Sequence, residues 1–100
     1  MIRGTTPKFT YTFKTSVDFI KDLRWTFAQE GKKIVEKTLN DVEKNANEIS
    51  CRLSQEDTLA FTAGIDAEIK LRILTNGNEV LSTDTSVEKV EETFNEEILK

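Results

Sequence analysis

One hundred residues, 37% of them hydrophobic and 32% charged, describe a single folded domain and exclude a disordered chain. The net charge of −4 repels phosphate backbones, and no apolar run approaches the roughly 18–20 residues of a membrane span, so neither nucleic acid nor a membrane is an expected partner. With no histidine and one cysteine, Cys51, the chain cannot assemble a usual zinc site, a histidine-based catalytic centre or an intrachain disulfide.

The opening MIRGTTPK lacks the apolar core of a secretory signal, and the lone cysteine fits maturation in a reducing cytoplasm. Charge is uneven along the chain. Residues 1–50 carry 9 basic and 7 acidic side chains, residues 51–100 carry 5 and 11, and the acidity concentrates in VEKVEETFNEEILK.

In TTPKFTYTFK, Phe9, Tyr11 and Phe13 alternate with Lys8, Thr10, Thr12 and Lys14, the period of a half-buried strand. Pro7 has no N–H to donate and belongs at the start of that strand or on an edge. TSVDFIKD reads as a loop that tucks Val17, Phe19 and Ile20 under the core. LRWTFA sets Leu23, Trp25 and Phe27 on one strand face; QEGK turns at Gly31, and KIVEKTL returns as the second arm of a hairpin. DVEKNAN is a polar loop with a short strand near Val42, after which EISCRL points Ile49, Cys51 and Leu53 inward.

SQEDTLAF is the one helical turn. Ser54 stands at its N-cap, Asp57 three residues on in the capping-box position, and Gly64 ends it in a left-handed conformation. Ile65, Ala67, Ile69, Leu71 and Ile73 then line one face of the cleanest strand. The Asn76-Gly77 pair predicts a type I′ hairpin turn into EVLSTDTSVEKV, a less apolar partner near a sheet edge. Val87, Val90, Phe94 and Ile98 recur every three or four residues. That spacing makes 91–100 either a short amphipathic helix, with Val90, Phe94 and Ile98 as an interface, or a disordered acidic tail beyond a domain of residues 1–90. About seven short strands at close spacing, with one mini-helix, predict an all-β antiparallel sandwich.

The carboxylate pairs Glu56–Asp57, Glu91–Glu92 and Glu96–Glu97 are sequence neighbours, which do not face each other across a cleft as glycoside hydrolysis requires. Asn76, Asn78, Glu79, Asp66 and Glu68 offer oxygen atoms without the spacing of a calcium loop, so a hairpin turn is the expected reading. Cys51 alternates with Ile49 and Leu53 as a small core residue, and Trp25 shares the buried face of its strand. No catalytic residue, metal ligand or cofactor site is expected.

Three stretches nevertheless carry a resemblance. GTTPKFTYTF, VDFIKDLRWTF (residues 17–27) and LSQEDTLAFTAG (residues 53–64), followed by an alternating strand and a Gly hairpin, resemble the N-terminal domain of phage upper-baseplate proteins and small prophage tail-region proteins. The likeness spans residues 4–90. Ile65 stands where that family carries a Tyr, and the acidic turn is also of a kind that immunoglobulin-like domains use. The resemblance implies an immunoglobulin-like sandwich without catalytic residues. It further implies a virion structural protein, assembled in the host cytoplasm, whose partners are other tail or baseplate proteins or further copies of itself. A carbohydrate- or cell-surface-binding module is the alternative expectation, and it requires exposed aromatic rings.

Overall fold

Eight strands, one short helix and two 3-10 turns make up the chain in the computed structural model, which describes residues 1–100. The strands are β1 (Lys8–Thr12), β2 (Ile20–Gln29), β3 (Lys32–Thr38), β4 (Glu43–Asn45), β5 (Glu48–Arg52), β6 (Ala67–Thr75), β7 (Val80–Ser82) and β8 (Ser86–Glu88). The helix α1 is Gln55–Leu59.

Two antiparallel sheets form, one in the order β1-β5-β4 and the other in the order β3-β2-β6-β7, with β8 also paired to β6. This is the immunoglobulin order. With β1 in the place of strand B, β2 to β7 follow as C, C′, D, E, F and G, and strand A has no counterpart. Four residues of β6, from Arg72 to Ile69, stand opposite five on the edge, from Ser82 to Ser86. β7 and β8 are therefore two halves of one strand broken by a one-residue bulge.

The core lies between the sheets, where alternate residues of each point inward. Ile49, Cys51 and Leu53 of one sheet meet Leu23, Trp25, Phe27, Ile69, Leu71 and Ile73 of the other, all buried. Phe9 crosses to Phe27 edge-on at 5.1 Å between ring centres. Trp25 stacks on Phe27 at 6.4 Å. Val17 of the 3-10 turn Val17–Phe19 and Ile20, the first residue of β2, are both buried, as the apolar spacing of that stretch requires. Tyr11, placed inward by its alternation, is instead 38% exposed, because nothing covers the outer side of β1.

Three expectations need correction. The type I′ turn forms at Glu30-Gly31, where both residues have positive φ (51° and 77°), and not at Asn76-Gly77. Asn76 is held by its N–H to the Phe19 carbonyl (2.9 Å) and by its side-chain amide to the Asp18 carbonyl (3.0 Å). Asn78 takes the left-handed position instead, at φ 63°, a conformation asparagine tolerates better than most residues.

Gly64 does have positive φ (84°), but α1 ends earlier, at Leu59, with Ala60 still in helical geometry. Gly64 turns the chain into β6, its N–H donating to the Val90 carbonyl at 3.0 Å.

No helix forms in 91–100. Val90 is 3% exposed in the chain's own core, Phe94 is 95% exposed with φ 65°, and Ile98 is half-buried, so the three do not form one docking face. An isolated helix of this length is marginal in water. The segment's polar groups find partners on the body instead. Arg3 pairs with Glu92 (2.7 Å) and Glu96, Gln55 exchanges two hydrogen bonds with the Leu99 backbone (2.8 and 2.9 Å), and Ile2 makes a parallel bridge to Glu91.

Candidate interaction surface

The side chains offering chemistry stand apart. No group of three among Cys, Asp and Glu converges on one point. Cys51 is buried in the core, and desolvation pushes its thiol up to about 11, which holds it protonated and unreactive at neutral pH. Trp25, at 4% exposure, offers no ring to a sugar.

The acidic turn is structural, as its spacing predicts. Ser54 accepts from the Asp57 N–H (3.0 Å) and Asp57 accepts from the Ser54 N–H (2.9 Å), the reciprocal pair that satisfies two donors at the helix start. Lys37 of β3 reaches over to Asp57 at 2.8 Å and ties the turn to the large sheet. Ser54→Ala is expected to cost about 1 kcal/mol by loss of the cap, read as a lowered urea midpoint at unchanged m-value.

The same pair sets a pH dependence. Burial alone would push Asp57 up, but the Lys37 ammonium and the Ser54 N–H and hydroxyl outweigh it and hold the carboxyl below its usual range. Its contribution is therefore complete above the unfolded value of about 3.9 and is lost as pH falls through the lower folded value. Stability measured from neutral pH downward should drop less below pH 4 in Asp57→Asn than in the parent chain, with the variant weaker at neutral pH.

Two surfaces remain as places for a partner. The first is the outward face of the large sheet, a depression of about 510 Å³ floored by Thr26 and Ala28 and rimmed by Arg24, Glu36, Lys70 and Arg72. Arg24 and Arg72 are directly opposed across β2 and β6. Arg24 is drawn aside by Asp22 (2.9 Å) and lies 3.9 Å from Glu36, while Lys70 and Arg72 make no ion pair within 4 Å.

The second is the open side of the sandwich, where β1 and the broken strand β7–β8 face each other with no strand between. Two adjoining depressions of about 220 and 190 Å³ lie there, sharing Tyr11, Leu71 and Thr83 in their walls. Phe9, Phe13, Phe19 and Leu81 make the rest of the lining largely apolar. Leu81 (45%) and Val87 (63%) stay exposed along the edge strand. Sequence reasoning missed this surface because each of its walls reads as an ordinary half-buried strand. What exposes them is the missing neighbour, which is a property of the topology.

No protein-family model matches the chain, and no curated protein sequence matches it.

Proposed function

We propose that the chain is a non-enzymatic structural protein of a phage or prophage tail, a β-sandwich module that docks into a baseplate or tail assembly through its open side. The observation that carries this reading is the pair of unfilled sheet edges with an apolar trough between them. Main-chain groups along such an edge give affinity to an added strand, and the pockets between alternate side chains give specificity. The resemblance of residues 4–90 to upper-baseplate N-terminal domains supplies the setting, a virion built in the host cytoplasm. The carbohydrate-binding alternative has less to draw on, since Trp25 is buried and the exposed rings are Tyr11 and Phe94.

Co-expression with the products of adjoining tail genes tests the reading. The expected result is stoichiometric co-purification with at least one of them. A chain that remains apart from every tail protein offered overturns it.

A further inference from the structure

Resting on that docking reading, we propose that the first occupant of the open side is a second copy of this chain. The two copies are joined antiparallel through β1 about a two-fold axis at Thr10.

The four outer edges of the sandwich are not equally open. β4 has three residues, β3 carries Lys32, Lys33, Glu36 and Lys37, and β7–β8 is broken by its bulge, all of which discourage strand addition. β1 is five residues long, unbroken, and paired on one side only.

The phase of its ladder is set at both ends. The Leu53 N–H donates to the Pro7 carbonyl (3.0 Å) and the Phe13 N–H to the Asn47 carbonyl (2.7 Å). In an antiparallel ladder, bonding to one neighbour alternates along the strand. Phe9 and Tyr11 therefore bond to β5, and the N–H and C=O groups of Lys8, Thr10 and Thr12 face the empty side.

A copy of β1 turned end for end matches that edge in one register above the others. With Thr10 on the axis, Thr10 meets Thr10 and Lys8 meets Thr12, and these are the residues with main-chain groups to share. Phe9 and Tyr11 fall opposite each other at the closely spaced positions between them. Threonine and aromatic pairs of this kind stabilise cross-strand contacts, and no like charges are opposed. Moving the register by two residues toward the C-terminus sets Lys8 against Lys14. Moving it by two toward the N-terminus leaves Thr12 opposite Lys8's preceding residue but one, outside the strand. The central register joins the two small sheets into one of six strands and brings each copy's Tyr11 against the partner's ring. The contact is isologous and closes on itself.

Sedimentation equilibrium up to millimolar concentration, with amide hydrogen exchange, tests the proposal. The expected result is a dimer in which the Lys8, Thr10 and Thr12 amides are protected, with that protection lost on dilution. Thr10→Pro removes an N–H that faces the open edge and spares the bonds to β5, so it should yield a folded monomer. Thr10→Val should remain a dimer. A parent chain that is monomeric throughout, or a dimer whose Thr10 amide exchanges freely, overturns the proposal. If Thr10→Pro does not fold, the exchange pattern of the parent chain decides alone. A monomer that still co-purifies with a tail protein would remove the self-pairing and leave the docking reading standing.

Discussion

Phe27→Ala is expected to lower the unfolding free energy by about 4 kcal/mol, within the range measured for truncating a buried Phe. Phe27 is fully buried on the inner face of β2, edge-on to Phe9 of the opposite sheet and stacked on Trp25 of its own strand. Its removal opens a void that neither sheet can close, because both are held in register by their ladders. A domain of this size has only about 5–15 kcal/mol in all, so the variant should retain a cooperative transition at a much lower urea midpoint. Phe13→Ala is the useful comparison. Phe13 is half-buried against the open side, and its loss should be clearly smaller than that of Phe27. Equal losses in the two variants would mean that the open side is packed as tightly as the centre.

Gln29→Leu is expected to cost about 3 kcal/mol although it makes the side chain more apolar. Gln29 is 5% exposed at the end of β2, on the same face as Leu23, Trp25 and Phe27. Its amide donates to the carbonyls of Thr62 (2.9 Å) and Ile65 (2.8 Å), and its oxygen accepts from the Thr62 N–H (2.8 Å). One side chain thus satisfies three backbone groups in the loop that carries the chain from α1 to β6. Leucine fills the volume and leaves all three without partners, each at about 1–3 kcal/mol, partly recovered by water at the exposed Thr62. Faster exchange of the Thr62 amide should accompany the fall in stability. If the urea midpoint is unchanged, the loop is satisfied from elsewhere.

Thr58 shows why such residues escape a reading of the sequence. It sits inside SQEDTLAF as an unremarkable helix residue, yet it is fully buried. Its hydroxyl donates toward the carbonyls of Thr5 (2.9 Å) and Gln55 (3.2 Å) and accepts from the Gly4 N–H (2.9 Å). The partners across the fold lie more than fifty residues away in the chain, and no local period encodes them. Gln29 is the same case, a polar residue on a buried face whose partners lie in a loop thirty-three residues on. A polar residue continuing the inward alternation of Leu23, Trp25 and Phe27 is the one signal that points to it.

The acidic turn was legible for the opposite reason. Ser54, Asp57 and the N–H groups they satisfy lie within four residues of one another, so the spacing alone implies the geometry. The terminal segment misled because a three-to-four-residue apolar period describes a helix only when a surface is there to receive it. Val90 went to the core, Arg3 took Glu92 and Glu96, and Phe94 was left in solvent.

What the sequence by itself determined is of short range. The alternation of β2, β5 and β6, the capped turn, the Gly31 hairpin and the burial of Cys51 and Trp25 all follow from side-chain period and local backbone preference. The tertiary structure alone decided which strands are neighbours, where Gln29 and Thr58 find their partners, and that β1 keeps one edge free. Strand order rests on contacts between residues far apart in the chain. A strand's own pattern says which face is buried and nothing about who stands beside it, and here the proposed site is made by the neighbour that β1 does not have.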